Sequence, residues 1–161
     1  MESDPEKQYR RAIGAFATGV AVVSAARADG ALVGITVNSL TSVSLNPRLL
    51  LWCLGDQSER YDVFAAAESW GLTVLGAEDE MLARRFAVAE REGMLTAEAE
   101  MLAGAPVLRA GVAQLSCRTH QRHQAGDHLV IVGEVLDVRV KPGAALTYFR
   151  SRYGGIEDRS S

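Results

Sequence analysis

The residues with the greatest chemical capacity fall within positions 34–47, Gly34-Ile35-Thr36-Val37-Asn38-Ser39-Leu40-Thr41-Ser42-Val43-Ser44-Leu45-Asn46-Pro47. An apolar strand runs there into a cluster of hydroxyls and amides just before a buried strand, and buried polar groups need partners. Two readings are open. A turn rich in Ser and Thr commonly satisfies its own backbone, which is the ordinary outcome on turn propensity. Short side chains and backbone N–H groups close to a sheet can instead hold a planar, hydrogen-bonding ligand that carries a phosphate.

Other reactive residue types are sparse. His120, His123 and His128 could suggest a metal, but odd spacing on a strand points His120 and His123 to opposite faces, so no metal site is expected. Cys53 and Cys117 form no CxxC pair and sit in apolar runs, which predicts buried, reduced thiols. Neither a GxGxxG fingerprint nor a glycine-rich phosphate loop ending in lysine occurs, which argues against a Rossmann dinucleotide fold. Arg84-Arg85 by themselves read as a solvated helix face, and His128 after the Gly126-Asp127 turn as surface decoration.

These residues must be positioned by a chain of 161 residues, the size of one domain, here taken as residues 1–161 with flexible tails at 1–4 and 155–161. A hydrophobic content of 48% supplies a core without disulfide or metal staples. Seventeen basic against 20 acidic residues, a net charge of -3, disfavour a nucleic-acid partner that must be held through its phosphates. No apolar run reaches the roughly 18–20 residues of a membrane span, and the acidic start is unlike a signal peptide, so no membrane partner and a cytoplasmic location are expected.

Ser3 or Asp4 can cap a helix with Pro5 in its first turn, and Tyr9, Ala12, Ile13 and Phe16 share one face, predicting an amphipathic helix to about Phe16 that lies on something. Small and β-branched runs at 19–24 and 32–37 flank an Ala28-Asp29-Gly30 turn and predict a hairpin. Strands follow at 48–54 and 70–75, helices at 59–67 and 78–89, and a long hairpin at 111–135 turning at 124–127. Six or so strands and three helices without regular alternation predict a mainly β fold, a closed or split antiparallel barrel with flanking helices.

Four stretches resemble the flavin reductase-like FMN-binding split-barrel family, in particular the small reductase components of two-component flavin-dependent monooxygenases. They are Phe16-Ala17-Thr18-Gly19-Val20-Ala21-Val22-Val23, residues 34–47, Arg84-Arg85-Phe86-Ala87, and Gly126-Asp127-His128 with Val132-Gly133-Glu134-Val135. Tyr148-Phe149-Arg150-Ser151-Arg152-Tyr153-Gly154 extends the match along the whole chain, in order. The chain departs from the family's pattern at Asn46, Thr73 and residues 91–102.

The resemblance implies a Greek-key antiparallel FMN-binding split barrel that moves a hydride from NADH or NADPH to FMN or FAD, for use by a separate monooxygenase. It implies that Thr36, Val37, Asn38 and Ser39 line the isoalloxazine and ribityl, that Ser42, Val43 and Ser44 add backbone contacts, and that Ser58 lies near the phosphate. Arg85 and Phe86 match the helix end approaching the flavin, His128 the histidine beside the nicotinamide, and Tyr153 an aromatic near that site. A homodimer is implied as well, with Trp52 and Phe16 available to cover its surface. The alternative on the same fold is a non-catalytic flavin- or haem-binding protein.

Overall fold

The computed structural model describes residues 4–88 and 93–159. Helix α1 (Pro5–Gly14) starts where Asp4 Oδ1 accepts a hydrogen bond from the Glu6 N–H at 3.1 Å, with proline in the first turn. The alternative cap, Ser3, lies outside the described residues, as do the other predicted tail positions 1, 2, 160 and 161. The helix closes two residues before Phe16, because tighter bonds from Ala15 N to Ala12 O and from Phe16 N to Ile13 O end it. Its apolar face is predicted to lie on something, yet Tyr9, Ile13 and Phe16 are 68%, 56% and 76% exposed.

Twelve strands follow among the described residues: β1 (Thr18–Gly19), β2 (Ala21–Ala26), β3 (Leu32–Val37), β4 (Thr41–Leu45), β5 (Arg48–Gly55), β6 (Ser69–Val74), β7 (Ala99–Leu102), β8 (Ala105–Leu108), β9 (Ala113–Ala125), β10 (His128–Val140), β11 (Ala145–Phe149) and β12 (Arg152–Ile156). Helix α2 (Tyr61–Ala66) links β5 to β6, and a 3-10 turn (Ala77–Asp79) leads into α3 (Glu80–Phe86). Both helices are shorter than propensity predicts, and predicted position 89 lies outside the described residues. Gly155 and Ile156, predicted in a frayed tail, pair with Leu146 and Ala145.

Seven strands form one antiparallel sheet in the order β3-β2-β6-β9-β10-β5-β4, and β1-β11-β12 form a second. The edges of the large sheet, β3 and β4, are joined by only residues 38–40, so the sheet must curl until its edges approach. They do not pair with each other, which makes the barrel split.

Strand β2 is buried on both faces, and its alternation feeds two cores. Ala21, Val23 and Ala25 join the barrel interior around Trp52, Phe64 and Trp70, whose rings meet edge to face at 5.6 and 6.0 Å from Trp52. Val22 faces the other way, with Leu75, Ala83, Phe86, Leu108 and Leu146, and so seats α3 on the sheet. Full burial of each of these large apolar side chains stabilises by roughly 1.5–3 kcal/mol. Trp52 is fully buried and therefore cannot cover a subunit surface, whereas Phe16 can.

Candidate active site

At the split, two hollows of about 250 and 170 Å3 share Val20, Val37 and Asn38 in their walls. The larger is also lined by Phe16, Thr18, Gly19 and Thr41, the smaller by Thr36, Tyr148 and Tyr153. Together they reach the roughly 300–1,000 Å3 usual for a small-molecule site. Four of the sequence-predicted residues, Thr36, Val37, Asn38 and Tyr153, therefore meet in one place.

Local bonding fixes this region. Thr36 Oγ1 donates to the Ala83 carbonyl at 2.7 Å, tying β3 to α3, so its hydroxyl is engaged within the protein. Ser39 Oγ accepts from Cys53 N at 2.9 Å and pins the crossover to β5. Asn38 between them is exposed. Thr41, Ser42 and Ser44 lie in a strand rather than a turn, paired with Leu51, Leu50 and Leu49. Val43 is the irregular residue in that register and is 47% exposed. As an edge strand β4 keeps one row of backbone groups unpaired, which suits the backbone contacts expected there.

The most telling atom is one that sequence reasoning passed over. Thr18 Oγ1 is buried, lines the larger hollow and has no hydrogen-bond partner. A buried hydroxyl left unsatisfied costs about 1–3 kcal/mol, so a polar ligand atom in the hollow would stabilise both. Beside it, a side chain on Gly19 would meet nothing within 4 Å, so the space over this backbone is open. Apolar walls from Val20, Val37 and Phe16 with a few polar groups fit a flat heteroaromatic ring.

Tyr153 and Tyr148 pack at 5.1 Å between ring centroids, and the Arg84 guanidinium lies 4.9 Å over the Tyr153 ring. Burial, then the neighbouring Tyr148, push the Tyr153 hydroxyl above its ordinary range against the opposing charge of Arg84, so it is a neutral phenol at neutral pH.

Other predicted residues have different surroundings. Phe86 is fully buried, with its ring against Gly34 and Val22, so its side chain is core and cannot line a ligand. Arg85 is held by Glu98 through both terminal nitrogens, Nη1 to Oε2 at 3.1 Å and Nη2 to Oε1, and its guanidinium lies 4.2 Å over the Phe86 ring. Ser58 is half-buried and uses its hydroxyl to accept from Arg60 N at 3.3 Å. His128 lines neither hollow; at the start of β10 its Nδ1 lies 2.7 Å from Asp127 Oδ1. Cys117 is buried with its thiol pushed up to about 12 by desolvation, while Cys53, predicted buried, is only partly so.

Arg60 is a positioning residue that the sequence did not single out. It is buried, and Nη1 donates to the Phe86 carbonyl at 2.7 Å and the Gly34 carbonyl at 3.2 Å, clamping the end of α3 to β3 behind Thr36. Burial draws its pKa below the ordinary value, with the charge of Glu59 opposing. Nothing in Ser58-Glu59-Arg60-Tyr61 signals this, because a charged residue in the first turn of the helix expected at 59–67 reads as solvated.

Residues 13–157 match the family described as flavin reductase like domain, and the chain belongs to that family. It is 38% identical over 151 residues to an FMN reductase (NADH) of Agrobacterium fabrum, covering 92% of this chain and 84% of that protein. A Streptomyces globisporus NADH:FAD oxidoreductase, solved in complex with NAD and FAD fragments, has a TM-score of 0.88 at 31% identity and covers 100% of this chain and 99% of that chain. The styrene monooxygenase flavin reductase of Pseudomonas putida has a TM-score of 0.82 at 30% identity, covering 91% and 96%.

Proposed function

We propose that the protein is an NAD(P)H-dependent flavin reductase, a single domain over residues 1–161 that takes FMN or FAD at the split and hands the reduced flavin to a separate monooxygenase. The observation that carries this reading is the hollow with its partnerless Thr18 hydroxyl, in a chain that matches a flavin reductase family over nearly its whole length. The relatives named as an NADH-dependent FMN reductase and as the reductase of a styrene monooxygenase support the donor, the acceptor and the partner.

The flavin supplies the ring that accepts a hydride from the nicotinamide when both are bound. The chain's own part is to bind, align and keep out water. Thr18 Oγ1 and the Asn38 amide offer hydrogen bonds to the ring edge, and Val20 and Val37 give it an apolar seat. The Ser39 and Thr36 bonds keep these groups from moving apart, since hydride transfer needs donor and acceptor atoms roughly 3–3.5 Å apart. Tyr153 borders the nicotinamide side. The contact of 2.7 Å between His128 Nδ1 and Asp127 Oδ1 fixes the imidazole's orientation and leaves Nε2 to hydrogen-bond a carboxamide. Ser58 and Arg85 complete the reading on the phosphate side, Arg85 by sharing its fork between Glu98 and a phosphate.

A homodimer belongs to the same reading. Tyr9 and Ile13 of α1 and Phe16 just beyond it are exposed apolar side chains, and Phe16 also borders the hollow, so a second copy would cover both. Free Cys53 and Cys117 suit the reducing cytoplasm. The test is oxidation of NADH and NADPH by flavin-stripped protein given FMN, FAD or riboflavin. Turnover well above the spontaneous rate is expected, and none with any pair would end the reading. Ile13→Asp with Phe16→Asp should give a monomer by sedimentation; a monomeric wild type would end the dimer.

A further inference from the structure

A second concave surface is distinguished by its charge. It encloses about 480 Å3 between Arg10, Arg11 and Gly14 of α1 and Arg150 and Ser151 of the β11–β12 turn. Three of the chain's 17 basic residues converge here although the whole protein carries a net charge of -3. They are poorly neutralised. Among the described residues Arg10 pairs only with Glu6, at 3.9 Å with both side chains about four-fifths exposed, and such pairs are weak. Arg11 and Arg150 form no ion pair among the described residues, although Arg11 also suits the negative end of its helix.

The turn is built to present Arg150. Phe149 and Arg152 are paired, so Arg150 and Ser151 form a two-residue hairpin turn, both in the left-handed region at φ 47° and 62°. Asn and Gly fit that conformation; arginine does so at a cost. Arg150 N donates to the Gly14 carbonyl at 2.9 Å, fastening the turn to the end of α1, and the guanidinium lies 5.1 Å over the Phe149 ring.

The cleft adjoins the site at the split. Tyr148, which lines the smaller hollow, lies on β11 only two residues before Arg150 of the turn. From the other wall the chain runs from Gly14 to Phe16, which lines the larger hollow. On the His128 side, the hydrogen bond and charge of His128 hold Asp127 low, and the charge of Arg10 adds a smaller pull, so Arg10 lies within electrostatic reach of that turn.

We infer that Arg10, Arg11 and Arg150 bind the pyrophosphate or ribose phosphate of a dinucleotide whose ring end lies at the split. Guanidinium forks match phosphate oxygens in geometry and charge, and an open cleft admits a flexible diphosphate. The assignment rests on the reductase reading only for which dinucleotide is bound, the nicotinamide or FAD.

Calorimetric titration with ADP tests it without turnover. The wild type should bind ADP, more weakly as salt rises. R10Q/R11Q and R150N should each bind it about tenfold more weakly or worse, and because Asn suits the left-handed turn, R150N removes the charge while keeping the backbone. Thermal unfolding of each variant confirms the fold. ADP that competes with NADH assigns the cleft to the nicotinamide dinucleotide, and ADP that competes with FAD but not FMN assigns it to FAD. Equal ADP affinity in wild type and folded variants, or ADP that displaces neither dinucleotide, overturns the inference. Loss of NADH oxidation with every flavin would overturn the reductase reading instead, and ADP binding would still stand or fall alone.

Discussion

Glu98 grips Arg85 across a sequence gap of 13 residues, so the residue expected to meet a flavin phosphate already holds a carboxylate. The pair joins α3 to the segment before β7, and Glu98 Oε1 also accepts from Leu95 N at 2.7 Å. Burial raises the Glu98 pKa, but the bonds from Arg85 and Leu95 outweigh it and the carboxyl ends below its ordinary value. A carboxyl lowered on folding adds stability above its unfolded pKa and loses that contribution as pH falls through the folded one. Wild type should therefore unfold at a higher temperature than Glu98→Gln at neutral pH, and the gap should close in acid, below the ordinary glutamate range. A gap that persists unchanged in acid would show that Glu98 acts through packing.

The same pair sharpens the phosphate test. Arg85→Ala should weaken FMN binding by roughly tenfold or more and riboflavin binding far less, because only FMN offers a phosphate to a charged donor. Glu98→Gln relaxes the competing grip and should tighten FMN without changing riboflavin. Equal shifts for both flavins in both variants would assign Arg85 to holding Glu98 alone.

His128 should affect rate more than flavin affinity. An imidazole hydrogen-bonded to the carboxamide aligns the nicotinamide, and His128→Ala should slow reduction of bound flavin roughly tenfold or more in stopped-flow measurements. A wild-type rate with unchanged nicotinamide saturation would make His128 a surface residue of the turn.

Gly71 sits where β6 passes β8. A side-chain carbon there would lie 1.8 Å from the Pro106 carbonyl oxygen and 2.8 Å from Val107 Cγ1. Backbone cannot yield as a flexible side chain can, so Gly71→Ala should cost about 1–3 kcal/mol or more in denaturant unfolding. A variant as stable as wild type would mean that β8 can move away.

Sequence by itself determined the strand-rich fold class, the turns of the hairpins and a group of residues that line one hollow. Small and β-branched runs in β2 and β3, the Gly126-Asp127 turn and the cap at Asp4 are local signals, decided within a few residues by composition, turn chemistry and capping. The ordered motifs also placed Thr36, Val37, Asn38 and Tyr153 at one site, where they line one hollow. What each side chain meets is a different kind of fact. Phe86, expected to approach the flavin, and Trp52, offered as cover for a dimer surface, are both core, because the opposite walls that bury them come from residues tens of positions away. Residues 41–45 leave a Ser/Thr turn and a ligand-holding segment both open in sequence, since Ser and Thr suit either state, and only pairing with β5 makes β4 a strand. The commitment of Arg85 to Glu98, the clamp made by Arg60, the partnerless Thr18 hydroxyl and the meeting of α1 with the β11–β12 turn depend on chain segments brought together by folding. Periodicity reports which face of an element is apolar; only the packed structure decides what covers it, and among the described residues α1 buries none of its side chains.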